Sequence, residues 1–294
     1  YLLRTWIDQP IYCISASEFR YGNYRINENT LCIFVSQSGE TADTLAALKL
    51  SKENEAQTLS VTNVLGSSLA RLSDYVLYTC ARPEIGVAST KAYTTQLVLL
   101  ACLCLKLASL FNKGVACKNH MINQLKQMPD VVEQMLAQEE KMAEFAKLLT
   151  NQKDAYFIGR QLDYLSVLEG ALKLKEVSYV HADAYMAGEL KHGPIALIEK
   201  DTVVIALATQ PSVAQKTISN ILETVARGAK VILIASQSQN TEGFEYVIRI
   251  PDVDPLLSCI PATVLLQELA YYVAKEKGCD VDKPRNLAKS VTVE

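Results

Sequence analysis

The chain carries no net basic charge and only three histidines: 29 Lys and Arg stand against 32 Asp and Glu, a formal charge of −3 over 294 residues. Without a positive field, neither nucleic acid nor an anionic membrane is invited as a partner, and an anionic ligand must be held by local donors. The eight cysteines, at 13, 32, 80, 102, 104, 117, 259 and 279, never show paired C-x-x-C metal spacing. Cys102 and Cys104 would lie about 200° apart on a helix and could not readily share a metal. No cysteine metal site is therefore expected. Buried free thiols in a reducing, cytoplasmic compartment fit the pattern. No signal peptide opens the chain, and the longest apolar run, Leu97 to Leu105, is too short to span a bilayer and ends at Lys106. The start lacks a methionine, and Tyr1-Leu2-Leu3-Arg4-Thr5-Trp6 reads as the end of a helix already under way. Upstream sequence is expected.

What is present is ordinary for a globular protein: 49% of residues are hydrophobic and 21% charged, with length for one large or two ordinary domains. Short β-branched runs alternate with helical spacing. Ile11–Ile14, 31–35, 58–63 and 75–80 read as strands, with helices over about 41–53 and from Thr90 through Leu107. A more polar helical stretch follows from about 118 to 149, with Pro129 as its main interruption. A second series then opens at 154–159, with strands at 202–208, 230–235 and 246–250 and a last helix over about 256–277. This pattern predicts an α/β fold with parallel sheets flanked by helices. Strands 31–35, 58–62 and 75–79 correspond in order and spacing to 203–207, 231–235 and 246–250, so the unit is doubly wound and duplicated. The expected organisation is a first domain over 1–115, a second over 116–280 and a tail over 281–294.

The organising stretch is Val35-Ser36-Gln37-Ser38-Gly39-Glu40-Thr41, a strand-to-helix turn with three hydroxyls, an amide and a glycine. A helix N-terminus offers unpaired N–H groups and about half a positive charge, which suits a phosphate. A plain helix cap from Ser38 or Thr41 is the alternative. The second copy has Thr209-Gln210-Pro211-Ser212 at this place. It loses the glycine and gains a proline without an N–H, so only the first copy is expected to bind phosphate.

Chemistry could also sit on helix 163–176. Its apolar positions are 164, 167, 168, 171 and 174, while Glu169, Lys173 and Glu176 fall on the opposite stripe. Spacing alone favours a solvated face with an i,i+4 ion pair. Gly188-Glu189-Leu190-Lys191-His192-Gly193-Pro194 is a turn whose histidine is placed to titrate or simply to serve the turn. The tail 282–294 lacks an amphipathic period and reads either as a frayed end or as a cover delivering Lys289.

Taken together, Ser-Gln-Ser-Gly-Glu-Thr at 36–41, Glu-Ile-Gly-Val-Ala-Ser-Thr-Lys at 84–91, Glu-Gly-Ala-Leu-Lys-Leu-Lys-Glu at 169–176, Gly-Glu-Leu-Lys-His-Gly-Pro at 188–194 and the terminal Pro-Arg-Asn-Leu-Ala-Lys-Ser-Val-Thr-Val-Glu are family motifs. They closely resemble the isomerase half, with its two sugar-isomerase (SIS) domains, of the glucosamine-6-phosphate synthases, the isomerising glutamine–fructose-6-phosphate aminotransferases. The resemblance covers essentially the whole chain. It implies that Ser36, Gln37, Ser38 and Thr41 grip phosphate and that Val87, Ser89 and Ala288 line the sugar. It further implies that Glu176 moves a proton between C1 and C2 with Lys173 nearby, and that His192 assists ring opening from the neighbouring subunit of a homodimer. Lys289 would engage the keto sugar, with Arg285 in the closing tail. The family's glutaminase domain and its Cys-Gly-Thr-Ser loop are absent from this stretch. The rival readings are a phosphosugar ketose–aldose isomerase without amination and a non-catalytic sugar-phosphate-binding regulator. The presence of Glu176, His192 and Lys289 speaks against the second.

Overall fold

The computed structural model describes residues 1–111 and 115–292. The side chain of Cys117 and the last two residues of the tail motif lie outside the described set. Contrary to expectation, none of the seven described cysteines is fully buried: Cys13, Cys80 and Cys102 are exposed and the rest half-buried, because an apolar run in sequence does not fix which of its side chains faces inward. The chain divides into two compact units, Leu2–Lys113 together with Arg285–Glu294, and Gly114–Pro284.

The N-terminal unit runs α1 (Leu2–Trp6), α2 (Ala16–Phe19), β1 (Leu31–Val35), α3 (Ala42–Glu53), β2 (Gln57–Thr62), α4 (Ser68–Leu72), β3 (Tyr75–Tyr78) and α5 (Lys91–Leu110). Its sheet has the order β1-β2-β3, all parallel. Phe34, Ala47, Leu48 and Leu69 form the core beneath it. Ile11–Ile14 was expected as a strand and is not one. An apolar β-branched run becomes a strand only where a neighbour takes up its backbone groups, and none of the described strands lies beside it.

The C-terminal unit runs α6 (Val115–Leu136), α7 (Glu139–Ala146), β4 (Asp154–Gly159), α8 (Leu162–Ser178) and β5 (His181–Met186). Two short 3₁₀ turns, Leu190–His192 and Pro194–Leu197, lead on to β6 (Val203–Ala208), α9 (Ala214–Val225), β7 (Lys230–Ser236), β8 (Tyr246–Ile250) and α10 (Cys259–Glu276). The order is β5-β4-β6-β7-β8, again all parallel. All six residues of β6 are buried, the signature of a strand covered by helices on both faces. The expected correspondence holds in the sheets: β1-β2-β3 and β6-β7-β8 share order and direction.

Three departures from the sequence reading have physical reasons. The strand β5 escaped notice because His181-Ala182-Asp183-Ala184-Tyr185-Met186 is an edge strand with a polar pattern. Pro129 does not interrupt α6, which runs through it. Met121, Met128, Val131 and Met135 are buried at helical spacing, and that burial outweighs the roughly 3 kcal/mol an interior proline costs. Finally, α5 extends well beyond the apolar run Leu97–Leu105: by length and composition alone it is long and apolar enough to cross a bilayer, and little of it is buried within the chain.

Candidate active site

Strand β1 ends at Val35, and the chain turns through Ser36–Thr41 into α3. Gly39 makes the turn possible: its φ is +68°, and a Cβ there would stand 2.2 Å from the Ser67 hydroxyl oxygen. Thr41 occupies the N-cap position of α3 but makes no side-chain cap bond. Its hydroxyl lies 2.9 Å from that of Ser36, whose oxygen also accepts the Gly39 N–H at 3.1 Å. The plain capping alternative for Thr41 therefore fails. Ser38 accepts the Glu40 N–H at 3.2 Å, and Glu40 itself reaches across to accept the Ser68 N–H at 2.8 Å. That backbone bond holds the Glu40 carboxyl below its ordinary range, so it stays charged while bracing the turn. The N–H groups of Gln37, Ser38 and Thr41 meet no protein acceptor among the described residues. Free donors around a helix N-terminus form an anion cradle.

The tail reaches this loop. Ser290 donates to the Ser38 hydroxyl at 3.1 Å, and the Ala42 N–H donates to the Val291 carbonyl at 3.2 Å. Of the two readings of the tail, the folded cover is the one the structure adopts. Lys289 donates to Glu84 at 2.6 Å and to the Gly86 carbonyl at 2.7 Å. Glu84 also accepts the N–H groups of Thr90 and Ala92 at the start of α5. Burial works to raise the Glu84 carboxyl, but Lys289 and those two N–H groups outweigh it and hold the group below its ordinary range. Val87 and Ser89 lie half-buried between Gly86 and α5, while Ala288 is exposed beside Lys289. Glu84 was quoted within a motif and given no role; a buried carboxylate that ties a distant lysine to a helix start has no local sequence period to betray it.

In the C-terminal unit, Val167, Ala171 and Leu174 of α8 are buried as expected, but most of the stripe expected to face solvent is buried as well. Glu169 and Lys173 are only 7% and 5% exposed, whereas Leu165, Leu168 and Leu172 stand 45%, 42% and 43% exposed. Leu168 was expected on the buried face and lies outside. Lys173 donates to Glu176 and stands 3.8 Å from Glu169, which also accepts from Gln267 of α10 at 3.4 Å. Burial pushes the Glu169 carboxyl up to about 7, against the pull of Lys173 and Gln267 and with a further push from Glu176. A carboxyl such as that of Glu169 can accept and return a proton near neutrality. Gly170, beside this stripe, faces Leu266 and Phe157, so it serves helix packing. His192 ends the first 3₁₀ turn, exposed, with its N–H donated to the Glu189 carbonyl at 3.0 Å. Among the described residues no side-chain contact joins it to Lys173 or Glu176. No group of three or more His, Cys, Asp or Glu able to hold a metal occurs among the described residues.

These two clusters can be set beside known proteins. The SIS domain family model matches residues 4–106 and 148–270. The chain is 51% identical over its whole length to the isomerising glutamine–fructose-6-phosphate aminotransferase of Caldanaerobacter subterraneus subsp. tengcongensis, covering 49% of that protein. It is 53% identical to the Clostridium tetani protein of the same name, over 97% of this chain and 47% of that one. The chain thus spans about half the length of the curated relatives it matches. Among solved structures, the C-terminal domain of glucosamine-fructose-6-phosphate aminotransferase from Francisella tularensis superposes with a TM-score of 0.87 at 40% identity, covering 92% of this chain and 77% of that one. A glucosamine-6-phosphate deaminase from Thermotoga maritima reaches 0.75 at 26% identity, over 94% and 80%. With both segments matched and the whole fold superposing, the chain belongs to the SIS-domain family, where it corresponds to the C-terminal, isomerase half of the isomerising glutamine–fructose-6-phosphate aminotransferases.

Proposed function

We propose that this chain binds fructose 6-phosphate and converts it, with ammonia, to glucosamine 6-phosphate. The observation that carries the reading is the Glu169–Lys173–Glu176 trio, in which a buried lysine stands between a buried carboxyl and a half-buried one. The loop Ser36–Thr41 takes the phosphate through its free N–H groups and the hydroxyls of Ser36, Ser38 and Thr41. Val87, Ser89 and Ala288 border the sugar. His192 assists ring opening, and Lys289 holds the open-chain ketone, transiently as an imine formed with loss of water. Ammonia adds to C2, releasing the lysine amine and leaving a C2 imine. Glu176 removes a proton from C1, and a proton is returned at C2 to give the aldose amine. No metal or organic cofactor enters these steps.

A homodimer belongs to the same reading. The exposed leucines of α8 and the largely uncovered α5 are apolar faces that a second copy would cover. A cytoplasmic setting is supported by seven cysteines that are all free among the described residues.

Purified chain given fructose 6-phosphate and ammonium is expected to form glucosamine 6-phosphate, and to form none when glutamine replaces ammonium. Formation of glucose 6-phosphate alone would favour the simple isomerase instead. Product made from glutamine would contradict the assignment of this chain to the isomerase half. The two copies should also differ. Ser38→Ala is expected to weaken fructose 6-phosphate binding by about 1–3 kcal/mol, and Ser212→Ala to leave it unchanged. Equal losses by calorimetry would defeat that asymmetry.

A further inference from the structure

In an open parallel sheet the ligand crevice lies outside the carboxyl ends of the strands, where the strand order reverses. In the C-terminal unit that point falls between β4 and β6, since the order is β5-β4-β6-β7-β8. It is filled from within. Asp163, in the first turn of α8, presents its carboxylate to the loop that follows β6. One oxygen accepts the Thr209 N–H at 2.8 Å and the other the Thr209 hydroxyl at 2.5 Å. The Gln210 backbone also donates to it. Ser258 stands 2.9 Å from the Thr209 hydroxyl and 2.8 Å from the Gln210 side-chain nitrogen. Asp163, Thr209, Gln210 and Ser258 are all buried, at no more than 3% exposed.

The backbone is shaped to allow this. A Cβ on Gly159 would stand 2.6 Å from the Asp163 carbonyl carbon, so a glycine at the end of β4 lets α8 start close enough to deliver the side chain. Gln161, two residues before Asp163, sits at φ 54° and ψ −125°, a conformation that strains a side-chain-bearing residue. Thr209 stands in the second copy where Ser36 stands in the first, and Gln210 where Gln37 stands. The donors of an anion cradle are thus present in both copies.

We propose that the C-terminal unit retains an anion site of its own, closed by Asp163, whose carboxylate stands where a free oxyanion of phosphate or carboxylate type would bind. Proline at 211 limits the donors of this loop; Asp163 occupies those that remain. The site concerns the C-terminal unit alone and stands or falls without the aminotransferase reading. Burial pushes the Asp163 carboxyl up to about 6, opposed by the bonds from Thr209 and Gln210, so it is ionised at neutral pH. Its titratable neighbour on α10, Cys259, is pushed to about 12 by burial with a contribution from Asp163, and so stays neutral there.

Removing the side chain should reopen the site. Asp163→Ala is expected to melt below the unmutated chain and to recover in a saturable way with sodium formate and with inorganic phosphate. The unmutated chain should gain nothing from formate, and from phosphate only what the Ser36–Thr41 loop supplies. A folded Asp163→Ala chain that responds to neither anion more than the unmutated chain does would overturn the proposal. The unmutated chain provides an independent measurement should the variant aggregate. The carbon-13 shift of the Asp163 carboxyl should report an ionised group well above pH 6 that does not move when phosphate is added. A carboxyl still protonated there would equally overturn it.

Discussion

Glu176→Gln is expected to slow proton transfer between C1 and C2 by about 10²- to 10⁴-fold while leaving the affinity for fructose 6-phosphate unchanged. The amide keeps the length and shape of the carboxylate, and its carbonyl still accepts from Lys173. Glu169 remains 3.8 Å from the ammonium, so the buried cation keeps a counter-charge. What disappears is the basic oxygen. Exchange of the C1 proton into heavy water, followed by NMR, reads that step without requiring ammonia or product release. Exchange at the unmutated rate would remove Glu176 from the role and move attention to Glu169, whose carboxyl ionises at about 7.

Mixing two inactive variants is expected to restore activity. If His192 acts on the site of the partner copy, Glu176→Ala and His192→Ala chains refolded together give mixed dimers in which one site holds both residues. Random pairing makes about half the dimers mixed, and the mixture should reach about a quarter of the unmutated isomerase activity. The exposed position of His192, with no side-chain contact to Lys173 or Glu176 among the described residues, is what a group serving a second copy would show. If His192 served its own chain, every site in the mixture would lack one residue. Activity no higher than that of the separate variants, with mixed dimers confirmed by native mass spectrometry, would sink the shared site.

The regular elements were legible because parallel strands buried on both faces announce themselves, as Val203–Ala208 does, and because the three-strand pattern occurs twice. The Ser36–Thr41 turn stood out because a glycine among hydroxyls between a strand and a helix has few uses. The α8 stripe was harder. Helical spacing placed Glu169, Lys173 and Glu176 opposite the apolar positions 164, 167, 168, 171 and 174, but could not say that the helix buries most of both stripes and leaves Leu168 outside. Asp163 and Glu84 were invisible as site residues for a different reason. Each is defined by partners far along the chain, Thr209 for one and Lys289 for the other, and a local period carries no information about such distances. Strand β5 and the unpaired Ile11–Ile14 make the same point: a strand is a property of its neighbour as much as of its own residues.

The tail's attachment to the N-terminal unit has a consequence for how the molecule is made. Lys289 and Glu84 are 205 residues apart, and Ser290 and Ser38 are 252 apart, yet both pairs close within that one unit. During synthesis the intervening C-terminal unit emerges and can complete its own sheet while the Ser36–Thr41 loop still waits for these partners. Closing so long a loop costs little more in entropy than closing a shorter one, but it delays the contact. Of these two units, the one made earlier is therefore the one finished later. Until the tail arrives, Glu84 is a buried carboxylate with no ammonium beside it, and the nascent N-terminal unit is held together by its three-stranded sheet and small core alone.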